Sequence, residues 1–462
     1  MNRREFLSIA GAGAASAVCG SVLAKHGLPR VLAEQEAQKA DITLHIAPAT
    51  VELAPGNTIK TIGYNGSAPG PLIRLKEGMP ATIDVFNDTD LPDLVHWHGL
   101  AMDSALDGAM EEGSPMIAPQ QKKRYIFTPG PAGSRWYHTH NSAKVDAKKV
   151  DFSQANYSGR FGFLYVQPKQ DAGAYDQEVF LTVHHWEPSL MAMESASAGC
   201  QVQYKFASFD DKVLRAREPL RVRAGQRVLF HFVNASATQN VLLALPGHQF
   251  TVIALDGNPV PNPRAVSTLS LAVAERIDAI VEMNQPGVWI LGSKNDAERA
   301  SGLGLTIEYA GSTGAATWTE SEGNDWGYTK FGRSAVAVEP DQTFPMTFEK
   351  IAGSGGVLDR WTINGKSYPD IEPLRVERGK RYRLSFFNKS NEAHPVHLHR
   401  HSFEIVKIGN RGSSGVMKDV INVESYQKID VEFVANNPGP TLFHCHHQLH
   451  MDYGFMQMIK YS

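Results

Sequence analysis

The sequence predicts an all-β protein of three consecutive β-sandwich or Greek-key barrel domains, and three observations lead there. The chain has 462 residues, and at roughly 150 residues per domain that length suggests about three domains. A glycine opens a strand-like run that closes on asparagine three times, at Gly78 to Asn87, Gly225 to Asn234 and Gly379 to Asn388. Turn-forming residues are frequent, with 40 glycines and 26 prolines, and no long helical hydrophobic period interrupts them.

The repeated runs carry β-branched and aromatic residues, as in Arg227-Val228-Leu229-Phe230-His231-Phe232 and Arg381-Tyr382-Arg383-Leu384-Ser385-Phe386-Phe387, so strand is the natural reading. The residues beyond each asparagine differ between the copies. Nine residues on stand His96-Trp97-His98, Leu243-Ala244-Leu245 and His397-Leu398-His399 in turn. A second match lies five residues past a later glycine: His138-Thr139-His140 after Gly133, Gly292-Ser293-Lys294 after Gly287, and His444-Cys445-His446 after Gly439. One ancestral β-domain used three times accounts for this pattern. A metal site between copies one and three accounts for the histidines. The copies are expected at 41–170, 171–312 and 338–462, with a connector at 313–337 inside the Gly/Ser/Thr-rich stretch from Gly311 to Ser334. Copy two, lacking histidine pairs, is expected to act as a spacer and to line a substrate path.

The N-terminus reads as an address rather than as fold. Arg3-Arg4, then Phe6-Leu7, then the mild apolar run from Ile9 to Ala24 match a twin-arginine export signal over 1–24, with a second cleavage choice near 33. The expected location is therefore periplasmic or secreted. Ser16 stands where a lipoprotein signal at Cys19 wants an aliphatic residue. A net charge of −3 with 20% charged residues implies no basic face, which argues against nucleic acid as a partner. No stretch reaches the length of a membrane span, and a monomer is expected.

In a strand alternate side chains share a face, so His-x-His presents both imidazoles to one side. Four such pairs supply eight imidazoles, which suit copper, zinc, iron or nickel. Cys445 between His444 and His446 points its sulfur to the opposite face. With His394 and His450 it makes a two-nitrogen, one-thiolate set suited to an electron-transfer copper. Cys200 is expected to be a free thiol.

With His96-Trp97-His98-Gly99, Trp136-Tyr137-His138-Thr139-His140, His394-Pro395-Val396-His397-Leu398-His399 and His444-Cys445-His446 followed by His450, the chain resembles the laccase-like three-domain multicopper oxidases over essentially everything after the signal. The resemblance implies cupredoxin-like domains and four coppers per chain. It implies a type 1 copper on His394, Cys445 and His450, and a type 2 copper on His96 and His397. The type 3 pair would then lie on His98, His138, His140, His399, His444 and His446. It also implies one-electron oxidation of a small reductant coupled to four-electron reduction of dioxygen. Electrons would enter at Cys445, and Asp107 would relay protons beside the cluster; an Asp-Gly turn with Gly108 is the plainer reading of that residue.

Two positions depart from the commoner bacterial pattern. Met451 stands where many members carry a second acid, which Asp452 would have to replace. Phe455 stands at the axial position of the type 1 copper, with Met456 expected to face away. The remaining histidines, His26, His45, His184, His185, His231, His248, His401 and His447, are read as structural or surface residues. Between Gly311 and His394 the one methionine is Met346, whereas cuprous oxidases of this family often carry a methionine-rich insertion there. Phenols and aromatic amines are therefore the expected reductants, ahead of cuprous, ferrous or manganous ions. Two non-enzymatic readings compete, an exported scaffold and a copper-sequestering protein. A two-domain nitrite reductase would have fewer repeats and another order of histidine pairs.

Overall fold

In the computed structural model, residues 39–143, 145–146, 149–169, 174–192, 200–320, 325–335, 338–353 and 358–462 are described. The export-signal reading, Cys19, His26 and Met193 lie outside them, and of Cys200 the backbone alone is described. Each repeated Gly-to-Asn run is a strand that ends on its asparagine: Ala81–Asn87, Arg227–Asn234 and Arg381–Asn388. Each pairs in parallel with an opening strand, Ile42–Ala54, Gln177–Ala192 or Gln342–Ile351. On its other side each pairs antiparallel with Lys122–Phe127, Arg276–Glu282 or Lys428–Val434.

The ends of these runs show why their residues recur. Gly78, Gly225 and Gly379 sit at φ of +75°, +83° and +86°, the left-handed region that a side chain disfavours. The buried Asn87, Asn234 and Asn388 amides each donate to two or more carbonyls of loops beyond the strand, at Leu91 and Ile117, at Gln239 and Leu271, and at Glu392, Val423 and Glu424. Each asparagine thus fixes the loop that leads to the next sheet, satisfying backbone groups that burial would otherwise strand.

A second sheet faces each of the first ones and carries the histidine positions. It runs Ile73–Lys76, Phe161–Gln167, Gly133–His138, His96–His98 in the first copy. In the middle copy the order is Leu220–Val222, Gly304–Tyr309, Val288–Ser293, Val241–Ala244, Leu269–Leu271. In the third it is Leu374–Val376, Met456–Tyr461, Thr441–Cys445, His394–Leu398, Val420–Val423. The protein is therefore all-β, three sandwiches of two sheets each.

Apolar side chains fill each sandwich, and one buried group, including Trp136, Trp186, Val233 and Val420, draws on all three copies. The α-helices among the described residues are short: Ser104–Asp107, Asp296–Ser301 and Gln448–Asp452. No helix among the described residues is long and apolar enough to cross a membrane.

Candidate metal centre

His96 lies opposite His138 in the first copy, and His397 opposite His444 in the third. The expectation that whole pairs sit on strands holds for His96–His98. In the other three, His140, His399 and His446 lie just past the strand end. There the backbone is free to turn the second ring inward, so loop geometry as well as strand alternation brings the imidazoles together.

The eight rings form one nest between the two outer copies, all buried. His98 stacks on His397 with ring centroids 3.8 Å apart, and His96 on His399 at 4.2 Å. Nε2 of His444 is 3.1 Å from Nε2 of His399 and 3.4 Å from Nε2 of His140, while Nε2 of His138 is 3.4 Å from Nδ1 of His98. Outer nitrogens are held by the protein. Nδ1 of His96, His397, His138 and His444 meets the carbonyls of Asp107, Asp419, Thr139 and Cys445 at 2.8, 2.8, 2.8 and 2.9 Å. A ring that donates from Nδ1 keeps its Nε2 lone pair for a metal.

Nε2 of His96 and His397 and both nitrogens of His446 have no hydrogen-bond partner among the described residues. Buried polar atoms are seldom left so, and a metal ion accounts for them. Burial holds His98, His138, His140, His397, His399 and His446 well below the usual imidazole range, and His444 at about 3. Those seven rings are held neutral and able to ligate.

The second constellation lies within the third copy. His394 opens one strand, Cys445 closes its neighbour, and His450 sits on the helix Gln448–Asp452. Cys445 Sγ is 3.8 Å from His394 Nδ1 and 3.5 Å from His450 Nδ1, and the two nitrogens are 3.0 Å apart. Their outer nitrogens meet Ser390 Oγ at 2.8 Å and Glu392 Oε2 at 3.2 Å. Burial pushes the Cys445 thiol up and both imidazoles down. A dry N₂S set of this kind suits a copper ion, which displaces the thiol proton. The fully buried Phe455 ring lies 4.9 Å from that of His394. Met456 instead packs with Met451, Met458 and Leu442.

Four acids surround the nest, and Asp419 is one of them, its Oδ1 3.1 Å from His98 Nε2. Asp107 Oδ2 is 2.8 Å from His399 Nδ1 and 3.2 Å from His96 Nδ1, and its Oδ1 has no partner among the described residues. Its neighbour Gly108, at φ +92°, has no room for a side chain: a Cβ would stand 1.9 Å from the Val95 carbonyl oxygen. Glycine is what lets Asp107 approach His96. Glu112, which sequence reasoning missed, accepts from the Leu442 amide at 2.6 Å and lies 3.5 Å from His399 Nδ1. Burial, then the nearby Asp107, pushes its carboxyl well up. Asp452 reaches the nest indirectly, accepting from Gln448 at 3.1 Å; Gln448 accepts from Asn156 at 2.9 Å, and Asn156 Oδ1 is 3.1 Å from His138 Nδ1.

A cavity of about 230 Å³ opens beside His450. Trp361, Tyr453, Glu392, Asp359 and His447 line it, together with Thr238, Gln239 and Asn240 of the middle copy. His447, read from sequence as structural or surface, stacks on His450 with centroids 3.7 Å apart and planes 10° from parallel. Its position beside His446 on the chain gave no hint of this.

Three family models, each described as multicopper oxidase, match residues 45–171, 177–310 and 315–462. A multicopper oxidase of Mycobacterium tuberculosis is 29% identical, with 100% of this chain and 96% of the relative covered. A laccase of Thanatephorus cucumeris is 25% identical, with 85% of each covered. The solved structure of a multi-copper oxidase from Pseudomonas thermotolerans superposes with a TM-score of 0.71 at 25% identity, covering 92% of this chain and 100% of that one.

Proposed function

The chain belongs to the multicopper oxidase family, a copper-dependent oxidoreductase with dioxygen as acceptor and four coppers per chain, and from that premise we propose that its reductant is a small phenol or aromatic amine bound beside His450. The observation that carries this is the cavity, which brings a bound molecule to the edge of a Cys445-site ligand. Trp361, Tyr453, Leu358 and Leu449 offer an aromatic ring apolar walls, and Glu392 offers its hydroxyl or amino group an acceptor. Reduced metal ions are the second reading, favoured by Glu392 and Asp359. Both carboxylates, however, are bridged by Lys350 Nζ, at 2.9 and 3.3 Å, so a cation would have to displace a lysine. Met346, the one methionine between Gly311 and His394, lies in the core at 1% exposure and offers cuprous ion nothing.

In this reading His394, Cys445 and His450 hold the type 1 copper, with Phe455 as a non-coordinating axial neighbour. His96 and His397 hold the type 2 copper. His98, His138 and His446 hold one type 3 ion, and His140, His399 and His444 the other. Copper bound there supplies one-electron chemistry at the first site and reduction of dioxygen to two waters at the second. The segment His444-Cys445-His446 ties the two sites covalently and gives the electron a short path. Asp107, with Oδ2 on His399 and Oδ1 without a partner among the described residues, hands on protons. The protein is exported by the twin-arginine route to the periplasm or beyond and works as a monomer.

Steady-state oxygen uptake against phenols, arylamines and reduced metal ions tests the substrate. Phenols or arylamines are expected to give the higher kcat/KM, and Glu392→Gln to raise KM for them. Faster turnover of a metal ion, abolished by Glu392→Gln, overturns the proposal in favour of the second reading.

A further inference from the structure

Behind the nest, where the three sandwiches meet, six ionisable side chains are buried together. Arg135 comes from the first copy, Asp256, Glu275 and Arg276 from the middle one, and Lys418 and Asp419 from the third; none is more than 1% exposed. Buried ion pairs seldom stabilise a fold more than apolar packing of the same volume, so their presence calls for another account. Arg276 grips Asp419 with both prongs, Nη1 to Oδ1 at 2.7 Å and Nη2 to Oδ2 at 2.6 Å. Asp256 fixes the backbone beneath, accepting from the amides of Asp419 at 3.2 Å, Val420 at 3.0 Å and Arg276 at 3.0 Å. Gly99, directly after His98, leaves the space: at φ +85°, a Cβ would stand 2.6 Å from Arg276 Nη2 and 2.9 Å from Asp419 Oδ2.

Asp419 in turn touches two rings of the nest. Its Oδ1 is 3.1 Å from Nε2 of His98, and its carbonyl oxygen is 2.8 Å from Nδ1 of His397. A carboxylate paired with Arg276 accepts and does not donate. His98 therefore carries its proton on Nε2 and presents Nδ1, which is the atom 3.4 Å from His138 Nε2. His397 donates from Nδ1 and presents Nε2, an atom with no partner among the described residues. One residue thus makes two stacked imidazoles offer opposite ring nitrogens.

We propose that Arg276, from the copy that contributes no ligand, is a positioning residue of the copper nest, clamping Asp419 so that His98 ligates through Nδ1 and His397 through Nε2. This rests on the eight imidazoles being the copper ligands. The test uses the full copper-loaded chain with two variants. Arg276→Lys keeps the charge and loses the two-pronged grip; Asp419→Asn keeps the shape and gains a donor. Both are expected to retain the blue absorption and potential of the Cys445 site. Retention of nest copper against a chelator is expected to fall by about 10- to 100-fold, the usual cost of losing such a support, with altered hyperfine splitting of the type 2 electron-paramagnetic resonance signal. Variants that keep four coppers and an unchanged type 2 signal overturn the proposal. So does loss of the blue centre in step with nest copper, which makes the junction scaffolding alone. Should Arg276→Lys fail to fold, Asp419→Asn decides by the same readouts. Wild-type protein that never holds four coppers sinks the ligand assignment instead, which keeps the two failures apart.

Discussion

The Cys445 site and the histidine nest have opposite building plans. His394, Cys445 and His450 come from two paired strands and the helix after them, inside one sandwich. The nest takes His96, His98, His138 and His140 from the first copy and His397, His399, His444 and His446 from the third, and its back wall leans on the middle one. A site made within one sandwich depends on local register. A site made between sandwiches depends on how they dock. Damage to docking should therefore empty the nest and spare the blue site, while loss of the Cys445 thiolate alone should do the reverse.

The largest effect is expected from Cys445→Ser, which removes the thiolate and the electron bridge together. The blue absorption and nearly all turnover should vanish while copper analysis still finds about three ions per chain. Full oxygen uptake by a colourless variant would break the comparison at once. Next is Gly108→Val, whose Cβ would stand 1.9 Å from the Val95 carbonyl oxygen and push Asp107 away from His96. Copper analysis should then show the nest depleted beside an intact blue band; equal loss at both sites would mean that they are not independent.

Asp107→Asn sharpens the contrast kinetically. Stopped-flow reoxidation by dioxygen should slow by about 100-fold, within the range for losing a positioned acid, while reduction of the blue site by substrate keeps its rate. An unchanged reoxidation rate returns Asp107 to its turn-forming role with Gly108. The smallest effect is at Phe455→Met. A thioether stabilises the cupric state, so the potential of the blue site should drop by an amount on the order of 0.1 V, with the nest untouched. Since 59 mV is a tenfold change in a one-electron equilibrium, redox titration resolves it. If Phe455→Met leaves the potential alone and Met456→Leu raises it, the axial assignment to Phe455 is wrong.

The histidines and the cysteine of both clusters were legible from sequence, because their spacing is a local property that strands and tight turns preserve. The repeat was legible for a similar reason: Gly78, Gly225 and Gly379 must reach positive φ, and Asn87, Asn234 and Asn388 must feed the same loop carbonyls. Partners distant in sequence were not. Arg276 and Asp419 lie 143 residues apart, and no periodicity links them. Glu112 reads as one acid among several after Asp107 until docking brings it to the Leu442 amide and His399. From sequence the middle copy reads as a spacer with a share in a substrate path. Thr238, Gln239 and Asn240 do line the cavity beside His450, but the grip of Arg276 on Asp419 gives that copy a further task. At the place where the outer copies set histidine against histidine, it sets Leu243 against Ser293.

The six-charge junction also bears on how the molecule comes apart. Arg135, Arg276 and Lys418 balance Asp256, Glu275 and Asp419 when all three sandwiches are docked. Take away the middle one and Arg135, Lys418 and Asp419 remain, one positive charge in excess; take away the third and the count stays even, but Glu275 loses Lys418 and Arg276 loses the Asp419 carboxylate. An uncompensated buried charge costs several kcal/mol, so half-assembled species are disfavoured and the three sandwiches should melt in one cooperative transition rather than in sequence.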